Sequence, residues 1–214
     1  MSPAGKENIN HDKYRRALQL AQEMFAGFNF EEQCSRAGAE IIERGLARVK
    51  FIQTEYLAAH PSGELRVLGS EAEPLPYDRL LVLHYLAHAK GTPLTGELIS
   101  YQQIPDGWLY YPTFLKRTIR VLAKAFSGDV ASFLQAGESI GAKRSLLGEH
   151  ALEILALPKV SYHFIMWPGD DELDTDFSCV FDRSVTDYLP AEDITLLTNV
   201  ISSLLANSRK GKQG

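Results

Sequence analysis

Four features of this sequence have residue types and spacing that could do chemistry. They are two histidines one helical turn apart, a serine between glycines, an acidic run and a basic helix face. His84 and His88 are four apart and so share one helix face. That spacing presents two imidazoles to a metal, or one to a tetrapyrrole iron or cobalt. No Glu stands at the second position, so the metalloprotease motif H-E-x-x-H is absent. In so apolar a helix the plainer reading is favoured: His84 buried on a backbone partner and His88 near the helix end.

Gly137-Glu138-Ser139-Ile140-Gly141 matches G-x-S-x-G. A nucleophile elbow needs a buried strand before the serine and a helix after it. Here Val130 to Ala136 reads as helix, and the acid and histidine of a triad do not follow in order. Ser139 is therefore expected not to be a nucleophile. The spacing to Lys143 also rules out a P-loop.

Residues 168 to 193 hold nine acids and one base, leaving 18 acids and 21 bases in the rest of the chain. Asp170 to Asp176 offers oxygens to Ca²⁺ or Mg²⁺, but the glycine and closing Glu of an EF-hand are not in place. A solvated acidic loop is the plainer reading. A third is that the loop faces Lys116, Arg117, Arg120 and Lys124 across the chain or across a subunit boundary. Those bases could also hold a phosphate or carboxylate.

The net charge of -5 argues against nucleic acid and anionic membrane as partners. The first ten residues lack the apolar core of a signal peptide, and the most apolar run is broken by His84. Cys34 and Cys179 are too few for a Cys-only zinc or iron–sulfur centre and read as reduced thiols, which suits a cytoplasmic protein.

The elements that must position these residues follow from periodicity and punctuation. Tyr14, Ala17, Leu18, Ala21, Met24 and Phe25 form a helical stripe that Gly27 ends. A short helix follows Asn29, with Glu32 as capping-box partner and Gly38 as stop. Ala39–Glu43, Ala47–Ile52, Glu55–Ala59 and Leu65–Leu68 read as an antiparallel meander. Tyr77 to Lys90 is predicted to be the buried central helix, with Gly91 at its C-cap. Glu97 to Ile104 reads as a strand and Pro105-Asp106-Gly107 as a turn. A helix from Pro112 to Phe126 carries the stripe Leu115, Ile119, Leu122 and Phe126. Asp129 caps a shorter helix. Gly137, Gly141 and Gly148 mark loops. Ala151–Leu157 and Val160–Trp167 form a hairpin, Phe177–Phe181 a third strand. The last helix opens at Pro190 with the stripe Ile194, Leu197, Ile201 and Leu204.

Clustered strands of this kind predict an α+β fold: a single domain over 11–206, largely antiparallel, with N- and C-terminal helices. Residues 1–10 and 207–214 are expected to lie outside it as disordered ends.

The segment Tyr77 to Phe126 resembles the domain of unknown function 3786 family. The resemblance rests on Leu83-His84-Tyr85-Leu86, on Lys90-Gly91-Thr92-Pro93-Leu94-Thr95-Gly96-Glu97 and on the Tyr111 to Phe126 helix. Trp167-Pro168-Gly169-Asp170-Asp171-Glu172, Val180-Phe181-Asp182 and Tyr188-Leu189 form a second matching block. The resemblance implies a protein of anaerobic bacteria or archaea, some relatives carrying an adjoining iron–sulfur module. It carries over no catalytic residue, and this chain lacks the cysteines for that module.

The functional expectation is a non-catalytic cofactor- or partner-binding module in anaerobic metabolism, beside a corrinoid or iron–sulfur protein. Its cofactor is not specified by the residues. The alternative is a metal-assisted hydrolase built on His84, His88 and the acidic loop. The expected pocket lies where the start of the Tyr111–Phe126 helix meets the strand 97–104 and the strand ending at Trp167. Tyr101, Trp108, Tyr111 and Trp167 would wall it, and Arg117 and Arg120 would clamp an anionic group. A flat, partly anionic ligand suits such walls, with His84 approaching from the central helix.

Overall fold

The computed structural model describes residues 3–210, with side chains from Tyr14 to Arg209. The fold is α+β, and its strands form two sheets that are antiparallel throughout. The chain divides into two compact units, the first ending at Thr92 and the second beginning at Pro93. Of the terminal segments expected outside the domain, residues 1–2 and 211–214 lie outside the described residues. Residues 3–10 and 207–210 continue the first and last helices.

In the first unit, α1 (Pro3–Ala26) and α2 (Phe30–Ala37) precede the meander β1 (Glu40–Glu43), β2 (Leu46–Phe51), β3 (Thr54–Ala59) and β4 (Glu64–Val67). Strand order follows the sequence. Ala21 and Phe25 of the α1 stripe are buried, whereas Met24 faces solvent. Asn29 caps α2 by accepting from the Glu32 backbone N–H at 3.0 Å. The Glu32 carboxylate pairs with Arg36 instead of closing the capping box.

Alternation then builds the core: Ala47, Val49 and Phe51 of β2 and Tyr56 and Ala58 of β3 point inward. α3 (Pro76–His88) packs on α1, α2 and β2. Leu81, Val82, Leu83 and Tyr85 are wholly buried, as the apolar run predicts. The helix ends two residues early, with Ala89 and not Gly91 after it. The reason is a side chain from elsewhere: Gln33 Nε2 donates to the Ala87 and Ala89 carbonyls at 3.2 and 2.8 Å. Those end carbonyls need no glycine cap.

In the second unit the order is β5-β9-β8-β7-β6. The members are β5 (Leu98–Ser100), β6 (Lys143–Arg144), β7 (Ala151–Leu157), β8 (Val160–Trp167) and β9 (Asp176–Asp182). The hairpin and third strand match their predicted bounds to within a residue. The strand expected over 97–104 stops at Ser100. Ser100 and Gln103 form a capping box there and turn the chain into a 3₁₀ turn over Tyr101–Gln103.

The next helix is composite: α4 (Tyr111–Phe114), a π turn (Leu115–Ile119) and α5 (Arg120–Phe126). The wider π turn delays the phase, so Phe114 and Thr118 face inward while Leu115 is half-buried. α6 (Val130–Ser139) and α7 (Ala191–Lys210) complete the layer. Leu205, not Leu204, closes the stripe of α7, because the buried face steps four residues on from Ile201.

Gly137 lies inside α6, not in a loop. A Cβ there would fall within 2.8 Å of Leu152 Cδ2 on β7. The helix sits so close to the sheet that a side chain there would have to displace the end of Leu152. Gly137→Ala is expected to lower stability by about 1–3 kcal/mol despite alanine's better helix propensity. A thermal melt unchanged from wild type would show that Leu152 repacks freely.

Candidate functional site

β8 leaves the sheet at Trp167 and β9 re-enters at Asp176, its register partner. The loop between them is built by its own backbone. Gly169 adopts φ +79°, and a Cβ there would crowd the Leu173 carbonyl and lie 2.9 Å from the Asp174 carbonyl carbon. Asp170 Oδ1 accepts from the Glu172 and Leu173 N–H groups, each at 2.9 Å. Those two donors hold the Asp170 carboxyl below the usual range. Thr175 Oγ1 donates to the Pro168 carbonyl at 2.8 Å and closes the loop.

The end of α5 faces this loop. Ser127 stops the helix in the left-handed region at φ 44°, and a Cβ on Gly128 would lie 3.1 Å from the Pro168 carbonyl. Between them is a hollow of about 540 Å³, lined among others by Arg120, Ala123, Ser127, Asp170, Leu173 and Asp174. Arg120 and Asp174 share it, yet neither forms an ion pair within 4.0 Å among the described residues. Of the basic stripe, only Arg120 lines the hollow; Lys116, Arg117 and Lys124 do not.

The expected pocket is not assembled as drawn. Tyr101 is core: its ring stacks on Phe114 at 4.3 Å and on Tyr111 at 6.3 Å. Its hydroxyl donates to the Ala191 carbonyl at 3.1 Å and pairs with Thr195. Trp108 is 72% exposed on a 3₁₀ turn. Trp167 is 56% exposed, and its Nε1 donates to Ser178 Oγ at 3.2 Å. Register explains the separation. Ser100 pairs with Val180 and Trp167 with Asp176, four residues apart along β9. That is about 13 Å. The α4–α5 helix lies along the same strand, with Phe114 against Tyr101 and Phe126 against Phe177. Trp167 therefore belongs near the helix end, not near its start. Arg117 is exposed outside the hollow.

His84 and His88 lie on α3 of the first unit, with ring centroids 5.7 Å apart at 79°. Among the described residues, no group of three His, Cys, Asp or Glu is placed to hold a metal. Ser139 is the last residue of α6, and its Oγ donates to the Ala136 carbonyl at 2.7 Å. A helix, not a strand, leads into it, so the elbow geometry is not formed. Burial pushes both cysteine thiols up, Cys34 to about 11.

Sequence reasoning missed Ala123, Ser127, Leu173 and Thr175 as parts of a site. The signals available were the helix stop at Ser127-Gly128-Asp129 and the turn signature Pro168-Gly169-Asp170. At the opposite end of β9, away from the hollow, other residues that carried the resemblance meet. Asp182 accepts from Thr95 N, Thr95 Oγ1, Gly96 N and Ser184 N at 2.8–3.1 Å. Glu97 and Arg183 form a paired fork beside it.

Fold and site together define an α+β protein with a polar hollow between a helix end and a self-closed acidic loop. The chain belongs to the domain of unknown function 3786 family, whose profile matches residues 29–203. No curated protein and no solved structure matches it. Among the described residues, no helix is long and apolar enough to cross a membrane.

Proposed function

We propose that the protein is a non-catalytic binding module and that the hollow between α5 and the 168–175 loop is its recognition site. One observation supports this above the others: Arg120 and Asp174 line one hollow and neutralise neither each other nor another described residue. A ligand carrying an anionic and a cationic group matches both. That pattern occurs in an amino acid, and in an ion-paired patch on a partner protein. The two carboxylates favour such an amphoteric group over a purely anionic one. The self-closed loop lowers the ordering cost of binding. Action in anaerobic metabolism beside a corrinoid or iron–sulfur enzyme is part of this proposal and rests on the family resemblance, whereas a place in the cytoplasm rests on reading Cys34 and Cys179 as reduced thiols.

The test is titration of the full chain with L-arginine, followed by amide NMR. Shifts are expected at Ser127, Gly169 and Thr175, with apparent affinity at least about threefold weaker in Arg120→Glu. Equal response of the two proteins, or no shift around the hollow, overturns the reading.

A further inference from the structure

We infer that the first unit carries an oxyanion site on Arg79, for which Glu73 is a built-in competitor. A hollow of about 510 Å³ lies among β4, the start of α3 and the segment 69–74, lined by Arg66 and Arg79 together with Glu64, Glu71 and Glu73. It is separate from the hollow of the second unit. Arg79 Nη2 pairs with the Glu73 carboxylate. Arg79 Nε is buried and bonds nothing among the described residues. A buried donor without an acceptor costs free energy. The Nε–Nη2 edge of a guanidinium is shaped for two oxygens of one carboxylate or phosphate, and Glu73 satisfies only half of it.

Glu73 is poorly anchored. Its side chain is 84% exposed. The segment that carries it is held by light contacts: Ser70 N to the Val67 carbonyl at 3.3 Å and Ala72 N to Ser70 Oγ at 3.1 Å. An exposed ion pair of this kind is weak. A small oxyanion that engages Nε and Nη2 together displaces it without disturbing the core. Arg66 adds positive charge at the rim, shared with Glu64 at 2.9 Å. The ligand class is therefore a carboxylate or phosphate group small enough for the hollow.

The test follows the Arg79 side-chain Nε–H resonance in the full chain at constant ionic strength. Inorganic phosphate and malonate are titrated separately. The resonance is expected to move, and Glu73→Gln is expected to bind about two- to fivefold tighter, the range set by losing one exposed ion-pair competitor. Response to phosphate alone assigns a phosphoryl ligand, response to malonate alone a carboxylate, and response to both a general oxyanion site. Arg79→Lys keeps the charge but not the fork; followed through the backbone amides of Ser70 to Glu73, its response to either anion is expected to be lost. Should that variant misfold, Glu73→Gln still decides. No movement with either anion in Glu73→Gln, or equal affinity in Glu73→Gln and wild type, overturns the inference.

Discussion

Leu83→Ala is expected to destabilise the protein by about 2–5 kcal/mol, read from the shift of a urea unfolding midpoint at constant slope. Leu83 is 0% exposed, and Leu81, Val82, Tyr85 and Leu86 of the same helix are buried with it, while His84, Ala87 and His88 form a half-buried face. Truncation removes three carbons from a site walled by helix and sheet. Tyr85 holds one side of that wall by donating to the Ala37 carbonyl at 2.5 Å. Gln33 holds the helix end at 2.8 Å. Such a site collapses little, so a cavity term adds to the lost transfer energy. A change below about half a kcal/mol would place α3 at the surface and contradict the fold.

Asp182→Ala is expected to cost about 3 kcal/mol, because it orphans four donors at once around a carboxylate that is only 7% exposed. The pH dependence identifies the cause. Burial alone would raise the Asp182 pKa, but the bonds from Ser184, Thr95 and Gly96 outweigh it and hold the value at about 2. The folded pKa thus lies below the unfolded value, so the folded state favours the ionised form. Its contribution, about 2 kcal/mol, is complete above the unfolded pKa near 4 and is lost as pH falls through about 2. The stability gap between wild type and Asp182→Asn should therefore narrow between pH 5 and pH 2. A gap independent of pH over that range would mean that the hydrogen bonds do not depend on the charge.

Asp182 also shows where sequence reading stops. Thr95-Gly96-Glu97 and Asp182 were visible as a pattern, but not as a clip, since 86 residues separate Gly96 from Asp182. Arg120 was visible as a base opposite an apolar stripe. Its place in a hollow depends on Ser127 ending the helix and on Gly169 folding the β8–β9 loop toward it. The aromatic pocket failed for the same kind of reason. Tyr101 and Trp167 were grouped by type, whereas strand register sets them at different levels of β9.

By itself the sequence determined whatever depends on near neighbours in the chain. The period of the buried face, the Asn29 and Asp129 caps, the Pro158-Lys159 hairpin and the α+β class all rest on interactions within a few residues. Tertiary structure alone decided the shortened α3, the inward turn of Thr118, the glycine inside α6 and the placing of Arg120 and the acidic loop on one hollow. Each of these depends on a group brought in from a distant element: Gln33 at the helix end, Asn199 beside Thr118 at 3.0 Å, Leu152 against Gly137. Local periodicity carries no term for such partners, because their separation in sequence says nothing of their separation in space.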